Sequence, residues 1–541
     1  MDTSYIDTVK SHLQRRNELF DARIKSGEFQ PLVFPRDFAS IFIVIFALVI
    51  KWPRDGPVKY IRHLLYFHSL YLNIYVIVHC RSLLVLGGYG VGLIFSWLSI
   101  WSASLLIFND VQGTYKRIER SFVPFDTSKE NLLQGRGGKT GRTPGILKNS
   151  ASEYDSSNGN ANSKATCSDP KIVPRFKWQG FPEKLGHRFT WAFDLFFSHR
   201  GPHWNWRPKD FAPLPKQVQL QLSRGENADL DVDVLWEEKN TRGVLVGSIY
   251  KSVLYFFCLD LLKVISTGDR HFLGHIICPP PPFLAFCGPL APTIAYMYRL
   301  AMSGAAVYCA VLFPTTISAT IFLAISQTPL GLKTRVPFEA SFLYPPYFGD
   351  ILIPILDEGL VGFWGKFWHK QFRAGFLAPG NWIKSKLMSR NPGRRWPQSI
   401  FWGLQVVISF TLSGILHFSG SYTQNSSTNP FNQFLFFALQ IVGIFFQISI
   451  EKLSGRVIPF RIPVWLKRLS KCVFVLVWLA CVGPLLCDDF TIGGVWMEEP
   501  VPYSPIRAMG FAKGTGGAVR WQAEPLRWWK GTRWWERGII L

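Results

Sequence analysis

Five stretches with no Lys, Arg, Asp or Glu constrain this chain more than anything else in it: Leu64–His79, Leu83–Phe108, Met302–Ile325, Ile400–Tyr422 and Gln433–Ile450. Several reach the roughly 20 residues that carry a helix across a bilayer. Shorter apolar runs at Phe38–Ile50, Leu245–Ser266, Phe283–Tyr298, Phe338–Leu356 and Cys472–Cys487 add further candidates. Backbone polar groups inside a bilayer must be satisfied within the segment, so the runs are read as helices. The pattern predicts an all-α polytopic membrane protein, a bundle of about 8–10 transmembrane helices with interfacial helices beside them.

Composition agrees. Twenty-one Trp and 45 Phe among 541 residues, with only 18% charged, are more than a soluble surface hides. A bilayer accommodates them, and a disordered or fibrous chain is excluded. The formal charge of +23 would by itself suit nucleic acid or an anionic membrane surface, so position decides. Ten Lys/Arg fall in residues 326–400 and six in 451–471, on either side of the spans between 400 and 450. Both flanks are therefore read as cytosolic and the intervening loop as lumenal. The charge is topology, and nothing in it calls for nucleic acid.

Residues 1–37 lack the basic and apolar regions of a secretory signal and read as a cytosolic or interfacial segment. Residues 38–108 hold the N-terminal transmembrane helices. A polar linker at 109–177 follows, and its Ser-, Asn-, Gly- and Lys-rich centre, 127–168, reads as disordered. Residues 178–541 form the main membrane domain. No His/Cys spacing suggests a metal site.

An ionisable residue inside a span is costly and so points to function. The sharpest is His417, flanked by Ser413, Gly414, Ser419 and Gly420, small residues that let a backbone or a ligand come close. A neutral imidazole bonded to a neighbouring helix is the competing reading. His68 and His79 lack such company and read as structural, as does Asp260 with Lys263, spaced as a neutralising pair. Upstream lies an element of another kind, Leu360–Arg373. On a single helix Lys366, Lys370 and Arg373 form one stripe with His369 beside it, and Trp364 and Trp368 share the aromatic remainder. Such a stripe suits a helix at the membrane surface, and equally a mouth gripping the phosphates of an anionic ligand. Seventeen residues of helix place His417 about 25 Å from the cytosolic end of its span.

Phe363-Trp364-Gly365-Lys366-x-Trp368-His369, followed by Phe410-x-x-Ser413-Gly414-x-x-His417, resembles the wax-synthase-like branch of the membrane-bound O-acyltransferase superfamily. It is especially similar to fungal members that acetylate terpenoid and meroterpenoid metabolites. Three further blocks share the resemblance: Trp178-Gln179 through Arg200-Gly201-x-x-Trp204-Asn205-Trp206, Asp489-Phe490 through Pro502, and the terminal Arg527–Trp535. Pro202 and His203 depart from the pattern of the first block. His369 stands where the wider superfamily has an Asn or His ahead of its catalytic His.

The resemblance implies a superfamily-like helical bundle and acyl transfer from an acyl-CoA to a hydroxyl, with His417 as essential base. A neutral imidazole can take the proton of an alcohol as it attacks a thioester. No paired Ser or Cys nucleophile is evident, so direct transfer is the simpler route. Lys366, Lys370 and Arg373 are assigned to the CoA phosphates, Trp364, Trp368 and Asn205 to substrate binding, and His369 or Asn205 to oxyanion stabilisation. The expected partners are an acyl-CoA donor (acetyl-CoA as co-substrate, with no bound cofactor), a hydrophobic alcohol and the lipid bilayer. The expected location is the endoplasmic reticulum, as a multi-pass protein. Long-chain acyl transfer to a fatty alcohol is the alternative within the resemblance; a transporter or a silent scaffold is the alternative from outside it.

Overall fold

The computed structural model describes residues 4–53, 55–125, 171–225, 235–236, 240–329, 334–457, 462–512, 517–521, 527–531 and 533–541. The segment read as disordered, 127–168, lies outside the described residues.

The apolar runs become helices. The N-terminal set is α1 (Ser4–Lys25), α2 (Ala39–Val49), α3 (Ile61–His79) and α4 (Tyr89–Ala103), the last continued by a wider turn to Phe108. After a hairpin of β1 (Arg117–Phe125) and β2 (Lys171–Gln179) come α5 (Leu185–Phe197), α6 (Thr241–Ser266) and α7 (Ala291–Ser326). The C-terminal half holds α8 (Arg373–Arg390), α9 (Gln398–Tyr422), α10 (Pro430–Val457), α11 (Val464–Val482) and α12 (Pro484–Ile492). Among the described residues six stretches are long and apolar enough to cross a membrane: 89–108, 241–266, 282–326, 398–422, 430–457 and 464–492. The helical membrane bundle expected from the sequence is what the chain forms.

Three local expectations are corrected. Phe283–Tyr298 is not a span of its own: it is a 3-10 segment to Leu290, broken at Gly288, followed by the first turns of α7, which continues through Met302–Ile325; the intervening Arg299 donates to Asp269 at 2.8 Å. Phe338–Leu356 makes no long helix: it passes in loop conformation through Pro345 and Pro346 to a short helix at Leu352–Glu358. Each proline removes a donor and turns the residue before it away from helical geometry. Asp260 and Lys263 do not neutralise each other. Lys263 donates to the Trp496 carbonyl at 2.5 Å, while Asp260 accepts from the Ile506 N–H at 3.1 Å, so both tie α6 to the C-terminal loop.

Two packing features set up the site. First, the N-terminal helices share one core with the Arg200–Trp206 loop, where Trp101, Trp191 and Trp204 are fully buried. Second, α4 meets α9 almost backbone to backbone. A Cβ on Gly92 would overlap the Ser419 backbone, and one on Gly420 would lie 2.8 Å from the Tyr89 ring. On the other side of α9, a Cβ on Gly414 would come 2.8 Å from the Phe434 ring of α10. The small residues around His417 thus draw two helices onto it, as close packing in a bilayer requires.

Candidate active site

A cavity of about 250 Å³ opens between α8, α9, α10 and the segment 361–373. Its lining includes His417, His369, Trp364, Trp368, Lys370 and Arg373, with Phe410, Ser413 and Phe437 completing the apolar wall. Six of the eight residues singled out from the sequence are therefore brought together. Lys366 and Asn205 are not.

The reason lies in the backbone of the aromatic segment, which is not one helix. Phe363–Phe367 forms a wide π-type turn closed by the Trp368 N–H on the Phe363 carbonyl at 2.8 Å. Trp368 is then extended (φ −60°, ψ 154°), and α8 starts only at Arg373. The break is held from outside, by the Gly349 N–H on the Phe367 carbonyl (2.9 Å) and the Lys370 N–H on the Tyr347 carbonyl (3.2 Å). Such turns cluster at functional sites because they re-aim side chains. Here the break splits the expected stripe. Lys370 and Arg373 line the cavity and share the carboxylate of Asp210. Lys366 points away, 60% exposed and paired with Glu358. Asn205 is occupied elsewhere, accepting from the Lys116 N–H at 3.0 Å and donating to the Thr114 carbonyl at 2.8 Å. It fixes the turn into β1.

His417 is held by groups that its own sequence neighbourhood does not reveal. Its Nδ1 lies 2.6 Å from the Tyr89 hydroxyl, which donates to Gln433 Oε1 at 2.7 Å. The Gln433 amide donates to Asp489 Oδ2 at 2.7 Å. Asp489 also accepts from the Ser421 hydroxyl at 2.6 Å and from the Asn429 N–H at 2.9 Å. Tyr89, Gln433 and Asp489 are all buried. The imidazole stacks on Phe437 with centroids 4.4 Å apart. Tyr89 comes from the N-terminal helices and Asp489 from α12, so the site draws on both ends of the chain.

A signal for part of this is present in the sequence. Gln433, Gln440 and Gln447 recur every seven residues on one face of an otherwise apolar helix, and all are buried. Each anchors one piece of the site. Gln433 takes Tyr89; Gln440 accepts from Trp364 Nε1 at 3.1 Å; Gln447 accepts from the Leu360 N–H at 2.8 Å. A polar stripe at helical spacing inside a span has to find partners, because lipid offers none.

Around His369 the electrostatics favour a neutral ring. Burial, aided by the charge of Arg200, pushes its imidazole down to about 4. Its Nδ1 is buried with no hydrogen-bond partner among the described residues. Arg200, from the block resembling the superfamily pattern, donates to the Pro345 and Pro346 carbonyls at 2.9 and 2.6 Å and stacks over Tyr347 at 3.9 Å. It clamps the passage that leads into the aromatic segment. His203, where that block departs from the pattern, meets Asp194 at 2.9 Å. Burial would raise that carboxyl, but His203 and Arg117 hold it below its usual range. Burial likewise opposes Asp210, yet Lys370 and Arg373 bring it down. Among the described residues no group of three His, Cys, Asp or Glu is placed to hold a metal ion.

An imidazole with one ring nitrogen free, set in an apolar cavity beside two cations, can accept a proton next to a bound anionic ligand. The segment carrying this arrangement, residues 344–439, matches the model of the membrane bound O-acyl transferase family. The resemblance drawn from the aromatic motif and His417 is thus met by the family comparison. Among proteins of known name, the chain is 26% identical to the acetyltransferase ple2 of Rhodocybe pseudopiperita over 48% of this chain and 56% of that protein. It is 25% identical to the acetyltransferase nanB of Aspergillus nanangensis over 34% of this chain and 43% of that protein. It is 26% identical to the O-Mevalon transferase yanI of Aspergillus niger over 44% and 46% respectively. The chain spans about half the length of these relatives. No solved structure matches.

Proposed function

We propose that this protein is a membrane-bound O-acyltransferase that moves an acetyl group from acetyl-CoA to a hydroxyl of a terpenoid- or meroterpenoid-type metabolite. The observation that carries the reading is the common cavity: His417, the aromatic motif and the paired cations Lys370 and Arg373 all line it. In the reaction, the free nitrogen of His417 takes the hydroxyl proton while the oxygen attacks the thioester carbonyl. The C–S bond then breaks, and the departing thiolate recovers the proton as free CoA thiol. His369, neutral and with an unpartnered ring nitrogen, is the group best placed to steady the developing oxyanion. Lys370 and Arg373 receive the donor's phosphates in exchange for Asp210. Apolar walls limit hydrolysis of the thioester.

The choice of a short acyl group over a long one rests on the resemblance to fungal acetyltransferases. The names of the acetyltransferase relatives support the same choice. The protein acts within a multi-pass membrane setting, for which the endoplasmic reticulum is proposed, and its unit of function is residues 178–541 together with the N-terminal helices. Microsomes containing the protein are given acetyl-CoA or palmitoyl-CoA with a panel of terpenoid and fatty alcohols, beside His417→Ala. Acetyl ester formed by the wild type and lost in the variant is expected. Ester formation unchanged by the variant would falsify the role of His417, and a palmitoyl preference would move the assignment to a wax synthase.

A further inference from the structure

The hydrogen bonds behind His417 have a direction, and that direction starts at a carboxylate. Asp489 is fully buried and takes three donors: Ser421 and Gln433 on Oδ2, and the Asn429 backbone N–H on Oδ1. An ionised carboxylate only accepts. Gln433 must therefore turn its NH₂ toward Asp489 and its carbonyl oxygen toward Tyr89. That oxygen can only accept, so the single hydroxyl proton of Tyr89 is committed to it at 2.7 Å. What remains on the Tyr89 oxygen is a lone pair, and it faces His417 Nδ1 at 2.6 Å. A contact of that length needs a proton, and only Nδ1 can supply it. The imidazole is then the Nδ1–H tautomer, leaving the Nε2 lone pair as its free basic position.

We infer that Asp489, acting through Gln433 and Tyr89, is a positioning residue that fixes the tautomer of His417 and so keeps Nε2 basic. The inference rests on the reading of His417 as base. The bilayer interior offers no water to satisfy a reversed chain, so the relay is set by its terminal anchor. That anchor holds its direction while the carboxylate is ionised, because Oδ2 then offers Gln433 only lone pairs.

The consequence is specific. In Asp489→Asn the side-chain oxygen must stay on the Asn429 N–H, which puts the new NH₂ opposite Gln433. Gln433 flips to offer its oxygen, its NH₂ then donates to Tyr89, and the Tyr89 proton turns onto His417 Nδ1. Every hydrogen bond of the relay survives with its polarity inverted, and the imidazole proton moves to Nε2. A second change, Gln433→Glu in the Asp489→Asn background, restores the original direction at Tyr89. The introduced carboxylate accepts both from the amide placed at position 489 and from the Tyr89 hydroxyl.

The test uses full-length protein in lipid nanodiscs with ¹⁵N-labelled histidine, the His417 signal being assigned by its absence in His417→Ala. The expected result is protonated Nδ1 in the wild type, protonated Nε2 in Asp489→Asn, and protonated Nδ1 again in the Asp489→Asn/Gln433→Glu variant. Acetyl transfer from acetyl-CoA to the alcohol accepted by the wild type is measured in parallel. A wrong tautomer costs a serine-protease triad about 10⁴-fold in kcat, and a loss of at least about 100-fold is expected here, with the apparent KM for acetyl-CoA little changed. The double variant should recover at least about tenfold of it. An Nε2–H wild type, or a double variant no better than the single one, overturns the relay. A confirmed tautomer switch alongside an active His417→Ala would instead overturn the base assignment and leave the relay standing.

Discussion

Tyr89 and His417 are 328 residues apart in sequence, and their side chains meet at 2.6 Å. The contact exists because Gly420 lets the phenol ring reach α9 and Gln433 holds its hydroxyl from the other side. Tyr89→Phe deletes the acceptor for Nδ1 while keeping the ring and its edge contact with Phe490. A buried group left unpaired costs about 1–3 kcal/mol, or about 5- to 150-fold in rate if the loss falls on the reacting state. We expect kcat to fall by that factor with the KM for the donor within about twofold. Initial rates in microsomes against acetyl-CoA concentration decide it; a rise in KM at constant kcat would place Tyr89 in donor binding.

Gly420→Ala attacks the same contact sterically. The added methyl would lie 2.8 Å from the Tyr89 ring, too close for carbon atoms in a packed interior. Overpacking of this kind costs about 1–3 kcal/mol, and relief here means moving Tyr89 away from His417. Thermal unfolding in detergent should show a lower midpoint, and activity should fall further than in Tyr89→Phe. Gly455→Ala, whose Cβ would meet nothing within 4 Å, is the matched control and should leave both unchanged.

Much of this site is legible in the chain and part of it is not, for physical reasons. Local sequence exposes what a span tolerates poorly, so His417 stands out, and the aromatic segment stands out by composition. The geometry of that segment does not. A helical wheel assumes an unbroken helix, and the break at Trp368 is imposed by backbone contacts from Tyr347 and Gly349, which no local pattern reports. Lys366 leaves the expected stripe for this reason alone. Asn205 belongs to a motif, yet its side chain bridges two backbone groups of a turn outside the cavity lining, a placement that local sequence does not report. Tyr89 is ordinary in an apolar span, and only its partner shows its role. The glutamine stripe of α10 is the clue that periodicity alone can supply.

The donor mouth makes a prediction that separates residues adjacent in the motif. Lys370→Ala and Arg373→Ala each remove a charged donor from the cavity, worth about 1.5–3 kcal/mol when fully engaged. The apparent KM for acetyl-CoA should rise about tenfold or more for each, and the KM for the alcohol should not. Lys366→Ala, outside the lining and mostly solvated, should change neither beyond about twofold. Asp210→Asn frees both cations and should lower the KM for the donor. Equal effects of Lys366 and Lys370 would return the mouth to a simple interfacial patch.

Stability should depend on pH through the histidines that lie outside the spans. Burial pushes His369 down to about 4, and His199 and His271 to about 4 as well. In the unfolded chain each titrates near 6.5, so between about pH 6.5 and 4 the unfolded state binds more protons than the native one. Stability is therefore full above about pH 6.5 and is lost as the pH falls through this window. The sign is opposite to that of a histidine stabilised by a carboxylate partner. His369, partly buried and lining the cavity, contributes to this loss. Denaturation in detergent at pH 7.5 and pH 5 should show the drop, and His369→Gln, which cannot protonate, should shrink it. An unchanged drop in that variant would mean that His369 is already solvated, and with it would go the neutral ring proposed to face the oxyanion.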